Sequence, residues 1–344
     1  MYRSARAHAA LCSLLVALAA SLIVLALAPA PAEASPWTVE PDQFVLTLSS
    51  NYQSADEEFL PDGELQRFPL DGRFSAYTLR LGGRYGFTDR FEGAFEANFK
   101  QVNYEANPVL LAPPDDGGDS AALNNAILDF SRSSAGAGDV YFHGRYNFMR
   151  GSVMMTTDTS LKFPTGYDQP SGTFADPTAP TPTTVEDDVT LGDGQTDLTQ
   201  SVLVGTYLPS LRTFMRLDAG YRHRFGPPGD QAVGSLSVGK YLGDKVVAFV
   251  GANGVYTVFE GEPVGQSFIT RTPEKSASEL TLEDIETIEI GLDKDYLNVE
   301  AGVILQLPEV EMRASYGQLV WGNNVSRVQS LSLAIVYALD GLTE

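Results

Sequence analysis

Three stretches of this chain carry polar or ionisable side chains at even spacings, with apolar residues or glycine between them. Arg80 and Arg84 form the first set, Glu92, Glu96 and Lys100 the second, and Asp139, Tyr141, His143 and Arg145 the third. On a β-strand, even spacing puts all of these groups on one face. Asp158 and Lys162, Arg216, Asp218, Arg222 and Arg224, Glu300, and Glu311 with Arg313 fall on polar faces in the same way. Charged faces of this length are costly unless they are wet or paired. The signs are near balance, which favours ion pairing, and two uses follow. The groups either line a polar passage whose narrowest ring selects a solute, or they lock together and stiffen a nearly closed interior.

Covalent chemistry finds little to work with. The single cysteine, Cys12, lies in the N-terminal apolar run, and beyond residue 34 only His143 and His223 supply imidazoles. A mature chain without that run has no thiol nucleophile, disulfide or Cys-ligated metal. His223 is followed by Arg224-Phe225-Gly226-Pro227-Pro228, with no Ser-Asn-Gly segment nearby, so the Ser-His pair of an outer-membrane phospholipase is not found. His143 has no second histidine beside it and reads as a hydrogen-bonded residue rather than a metal ligand. The expectation is a protein that is not an enzyme and holds no cofactor or metal centre.

The elements that position these residues begin after a leader. Arg3 and Arg6 precede an uncharged apolar run from Leu11 to Leu27, and Ala32-Glu33-Ala34 is a small-x-small cleavage site. Residues 1–34 therefore read as a secretory signal peptide and 35–344 as one outer-membrane barrel domain. Cleavage leaves 21 basic and 43 acidic residues, a net charge of −22. That balance argues against nucleic acid as a partner and is compatible with cations. No later stretch approaches the roughly 20 apolar residues of a membrane helix.

Alternation instead marks about twelve strands: Phe44–Tyr52, Ser75–Tyr85, Phe91–Tyr104, Asp139–Phe148, Ser152–Phe163, Thr196–Tyr207, Phe214–Phe225, Ala232–Leu242, Val246–Phe259, Tyr296–Leu307, Glu311–Val320 and Val328–Leu339. Thr196–Tyr207 and Ala232–Leu242 alternate poorly, which predicts a bulge or a register error in each. The fold class is all-β, a transmembrane antiparallel β-barrel of about twelve strands (10–14) in the bacterial outer membrane. Connections alternate between short turns, such as Gly86–Arg90 and Gly243–Asp244, and long loops at 53–74, 105–138, 164–195 and 260–295. With periplasmic termini, every long loop falls outside the cell. Those four loops hold 27 acidic and six basic residues, almost the whole net charge. Asp115, Asp116 and Asp119, and Glu186, Asp187 and Asp188, are the densest carboxylate clusters. Such hard oxygen ligands suit divalent cations, and lipopolysaccharide bridged by those ions is a candidate partner, but no spacing matches a defined Ca²⁺ loop. Solvated acidic loops are the preferred reading.

One loop carries a motif. Phe163-Pro164-Thr165-Gly166 ends a strand, where Pro164 stops ladder pairing, and Leu191-Gly192-Asp193-Gly194-Gln195-Thr196-Asp197 opens the next, where the glycines allow a sharp return. The loop between could fold inward as a constriction or stand in solvent. The sequence L-K-F-P-T-G at 161–166 with L-G-D-G-Q-T-D at 191–197 resembles the paired motif of an outer-membrane family named for the meta-cleavage pathway of phenol degradation. G-D-V-Y-F-H-G-R-Y-N-F at 138–148 and G-F-T-D-R-F-E at 86–92 are similar to that family's preceding segments. The resemblance spans roughly 74–339. It implies a transporter-like barrel that helps small, often aromatic, hydrophobic compounds across the outer membrane. The loops at 105–138 and 260–295 look like insertions relative to that pattern, and the last six residues lack the aromatic terminal residue common in such barrels.

Two functions follow as expectations. The first is passive, non-enzymatic passage of a small-molecule solute. The second is a closed barrel that presents acidic loops to cations, lipopolysaccharide or a partner. About eight strands enclose only enough room for side chains while 16–18 leave a water-filled channel, so twelve decides neither. A preference for apolar solutes calls for aromatic side chains inside, and Tyr141 is the one inward candidate found from alternation.

Overall fold

The computed structural model describes residues 38–110, 127–128, 131–165, 167, 191–270, 272–273, 275, 279 and 285–339. Residues 1–34, expected to be a signal peptide, Gly166 and the two densest carboxylate clusters lie outside them. Twelve antiparallel strands form a closed barrel: β1 Phe44–Ala55, β2 Arg73–Gly86, β3 Phe91–Glu105, β4 Arg132–Met149, β5 Val153–Phe163, β6 Thr196–Leu208, β7 Thr213–Phe225, β8 Gln231–Tyr241, β9 Val246–Thr257, β10 Asp295–Gln306, β11 Val310–Asn323 and β12 Gln329–Leu339. Each pairs with its neighbours in sequence, and β12 closes on β1 from Phe44↔Leu339 to Ser54↔Gln329. Closure leaves no unpaired edge, which a lipid environment requires.

The alternation works because the two faces meet different media. Val250 is 59% exposed and Phe259 63%, and Leu217, Leu236, Val303, Leu331 and Leu333 form a belt of exposed aliphatics around the outside. Aromatics border it at the short-turn end (Phe87, Phe91, Tyr146, Phe148) and at the long-loop end (Tyr52, Tyr221, Phe225, Tyr256, Trp321). An apolar band between aromatic girdles is the outer surface of a membrane barrel.

Several strands, β1, β2, β4 and β11 above all, run longer than their alternation suggests. β4 begins at Arg132 rather than Asp139, so the expected 105–138 loop loses its last seven residues to the sheet. Its register slips between Ala97↔Val140 and Phe99↔Ala137, a bulge that inserts one residue near Gly138 and Asp139 and breaks the period there. Upstream of it, Ser133 to Ala137 has no large apolar side chain to reveal a face. The bulges expected in 196–207 and 232–242 are absent from the ladders of β6 and β8. Irregularities fall instead near residues 97–99, 147–149 and 297–298. The long loops are partly structured. Gly265–Thr270 pairs with Ile285–Ile290, and Glu57–Phe59 pairs with both Leu65–Arg67 and Val325–Ser326.

Candidate functional site: the barrel interior and its two mouths

At the short-turn end, register brings charges face to face. Glu92 stands opposite Arg145 across β3 and β4, and Arg145 stands opposite Asp158 across β4 and β5. Glu92 is fully buried and accepts from Arg84 Nε (3.0 Å) and Nη2 (2.8 Å) and from Arg145 Nη1 (3.1 Å). Arg145 Nε donates to Asp158 at 3.0 Å, and His143 Nδ1 lies 3.2 Å from both oxygens of the same carboxylate. The fourth donor to Glu92 is the backbone N–H of Val39, at 2.7 Å. Val39 precedes β1 and packs with Val45, Val336 and Ala338, which places the chain before the first strand inside this mouth.

At the long-loop end three charges sit abreast. Asp197 is opposite both Lys162 on β5 and Arg224 on β7. Lys162 Nζ reaches Asp197 at 2.7 Å and Asp193, from the loop, at 2.6 Å. Arg224 Nη2 reaches the other oxygen of Asp193 at 2.6 Å. Asp193 thus bridges two strands from above. Burial pushes its carboxyl upward, but Lys162 and Arg224 outweigh burial and hold it below the usual carboxylate range. Gly194 supplies the left-handed turn (φ 69°) that lets the chain double back. Leu191 crosses the mouth and packs on Ala76 and Val102 of β2 and β3. The described part of the motif loop therefore folds inward. Thr165 donates to the Gly138 carbonyl and Tyr167 to Asp139, fastening the start of the loop where it leaves β5. A second loop joins the latch: Arg224 Nη1 donates to the Leu292 carbonyl at 3.3 Å, and Asp293 accepts from the backbone of Gly229 and Gly261.

Between the mouths, the remaining sequence candidates share the inward face. Arg80 pairs with Glu96 (3.4 Å) and donates to Asn98 (3.0 Å), Arg216 pairs with Asp218 on its own strand, and Arg222 donates to Gln231 (3.1 Å). Lys100 and Glu300 have no ion-pair partner among the described residues. Every side-chain ion pair of the barrel strands lies within one strand or between adjacent strands; among the described residues none spans the interior. Charge gathers on β2 to β7. The inward positions of β8 to β12 and β1 are mostly small: Ser235, Ser237, Gly239, Gly251, Asn253, Gly302, Ser315, Gly317, Ser332 and Ser49.

Tyr141 is not the sole inward aromatic, which corrects the expectation. Phe214 lies over Gly239, Phe249 over Gly302, and Tyr207 meets Tyr241 edge-on at 5.9 Å. Tyr296 shares the face of Asn298 and Glu300. Parity with Arg216 and Asp218 already puts Phe214 inside. Leu191 and Asp293 carry no such signal, because a loop has no period. At the outer rim His223 Nδ1 lies 3.0 Å from Asp230. Burial opposes the charge of Asp230, but bonds from Tyr221, His223 and the Arg224 backbone together outweigh it and draw its pKa down to about 2.

A closed twelve-stranded barrel with an apolar girdled exterior and a charged interior is a transmembrane β-barrel of the bacterial outer membrane. The chain is similar in structure to an outer-membrane channel from Pseudomonas putida F1 (TM-score 0.58, 11% identity, covering 90% of this chain and 100% of that one). Looser overlaps are the NanC porin (0.44, 9%, 86% and 100%) and the translocator domain of the autotransporter NalP from Neisseria meningitidis (0.41, 11%, 87% and 89%). At these identities the likeness speaks for the fold. No protein-family model and no curated protein matches the chain.

Proposed function

We propose that the chain is a non-enzymatic outer-membrane channel for small, preferentially aromatic solutes, of the kind the meta-pathway resemblance implies. The observation that carries this reading is the direction of the ion pairs. Charges that lock to their neighbours along one wall leave the opposite wall, mostly Gly, Ser and Asn with a pair of its own between Glu311 and Arg313, unbridged to the first. A sealed interior would tie the two walls together. Phe214, Phe249, Tyr207 and Tyr241 then offer aromatic faces toward the periplasmic half, where flat apolar solutes gain contact. The similar channel from Pseudomonas putida agrees with this use of the fold without fixing a solute.

Purified protein in liposomes tests the reading through swelling and single-channel conductance. Permeability to benzyl alcohol or a comparable small solute is expected, and impermeability to all solutes tried overturns it. The fastening of both mouths favours one rival, a closed barrel whose acidic loops meet the surface. Deleting residues 265–290 separates the two: a channel keeps or gains conductance, whereas an interaction protein folds unchanged and loses its phenotype.

A further inference from the structure

On the lipid-facing side of β7, β8 and β9 the ladders stack side chains in rows. Leu217, Leu236 and Ala252 form one row, and Met215, Val238 and Val250 form the next toward the short turns. The last row breaks the pattern, because two small residues, Thr213 and Ala248, flank Lys240. Lys240 is exposed, and among the described residues it has no hydrogen bond or ion pair. One step further, the Tyr241 N–H donates to the Arg212 carbonyl at 2.9 Å and sets the β6–β7 turn beside the lysine. Arg212 Nη2 donates to the Gly243 carbonyl at 2.6 Å and to Asp244 at 2.9 Å. The guanidinium is thus pinned across two turns, while its Nε and Nη1 make no hydrogen bond among the described residues. The Asp244 side chain is 95% exposed, so its hold on Arg212 is weak. Leu211 and Leu242 carry exposed apolar surface past the two cations.

A lysine at the foot of an apolar column is stable where its ammonium reaches the headgroup region, and a lipid phosphate there supplies the counter-charge that the protein withholds. Thr213 and Ala248 leave room for a headgroup beside Lys240, and the rows above offer continuous apolar surface to acyl chains. Lys240, Arg212 and Asp244 together carry one positive charge, which complements the single negative charge of an acidic glycerophospholipid. The unused guanidinium donors suit phosphate oxygens. We propose that Lys240 and Arg212 bind the phosphate of an acidic phospholipid of the inner leaflet, whose chains lie along Met215, Val238 and Val250. The site lies on the outside of the barrel and does not depend on what crosses its interior.

Native mass spectrometry of the purified protein in non-ionic detergent tests this, with phosphatidylglycerol as probe and phosphatidylcholine of the same chains as its zwitterionic counterpart. Phosphatidylglycerol should bind about tenfold more tightly than phosphatidylcholine, and more weakly as salt rises. Its affinity should fall about threefold to tenfold in Lys240→Gln and in Arg212→Gln. Lys240→Arg should keep most of it, and Lys245→Gln should leave it unchanged. Lys245 alternates with Val246, which is exposed on the lipid side, so it belongs to the other face of the wall. Heat-shifted gel mobility checks that each variant is folded. Equal binding of the two lipids by the wild-type protein overturns the site, as does an affinity unchanged in both Lys240→Gln and Arg212→Gln. An equal loss in Lys245→Gln also overturns it, because a general attraction of charge does not tell the two lysines apart. Displacement of the lipid by an equal concentration of inorganic phosphate would make the ligand a free anion and overturn the lipid assignment.

Discussion

The two mouths of the barrel are closed by opposite means. At the short-turn mouth the members of the ion cluster are all strand residues, and the occupying segment brings it a neutral backbone N–H, to Glu92, beside the packed side chain of Val39 and the hydrogen bonds that join Thr38 to Asp89 and Arg150. At the outer mouth the occupying loop itself brings the charge, Asp193, to cations on the strands. Removing the inner segment would leave Glu92 with both arginines. Removing the outer loop would leave Lys162 with Asp197, and Arg224 with Asp197 and Asp293 at a longer 3.7 Å. The inner cluster therefore belongs to the barrel, whereas the outer latch responds to charge.

Glu92→Gln should break this contrast most forcefully. It leaves Arg84 and Arg145 sharing a neutral amide in a buried place, and losing one partner of such a cluster costs about 3–5 kcal/mol. Urea unfolding in detergent should show that loss. Glu96→Gln removes the partner of a half-exposed arginine and should cost no more than about 1 kcal/mol. Equal effects of the two would mean that the inner cluster carries no special weight.

Asp193→Asn should act on the opening more than on stability. Its carboxylate is a quarter exposed, and its cations keep other partners, so a cost of about 1–2 kcal/mol is expected. Single-channel conductance should rise because the loop loses the charged grip that Asp193 has on Lys162 and Arg224. Unchanged conductance would show that Leu191 and the bonds of Thr165 and Tyr167 hold the loop without the Asp193 carboxylate.

The same carboxylate sets a pH response. Its folded pKa lies below the ordinary value of about 4. The latch is then fully present above that ordinary value and is lost as pH falls through the lower, folded one. Conductance should stay flat from neutral pH down to the ordinary carboxylate range and rise only in stronger acid. Asp193→Asn should be open across the whole range, and a rise that begins near neutrality would point to a histidine instead.

How much of this could be read in the chain depends on periodicity. Side chains of the barrel wall obey a period of two, so the strands and the inward residues from Arg80 to Glu300 follow from spacing alone. The same parity carries Lys162 and Arg224 to the latch. It fails at Gly138 and Asp139, where one inserted residue flips the faces and hides the start of β4. Its reach ends at loops: the inward fold of Leu191, the bridge made by Asp193 and the part played by Asp293 are fixed by contacts between segments remote in sequence. Val39 is hidden for another reason. It precedes the first strand and any alternation, so nothing local marks it as a residue that enters the barrel.

Val39→Ala is the gentlest probe and bears on the inner mouth alone. The side chain is buried among Val45, Val336 and Ala338, and truncating it should cost about 1 kcal/mol. The N–H that reaches Glu92 belongs to the backbone and survives the change, so the segment keeps its polar anchor while losing its packing. If packing holds the segment, brief openings should become more frequent in single-channel traces, equally at neutral and acid pH. If the bond to Glu92 holds it, the traces should match those of the wild type. Adding Asp193→Asn then measures whether the mouths are independent. With no shared contact between Val39 and Asp193, their effects on stability should add within about 0.5 kcal/mol, and a larger discrepancy would mean that the interior transmits the state of one mouth to the other.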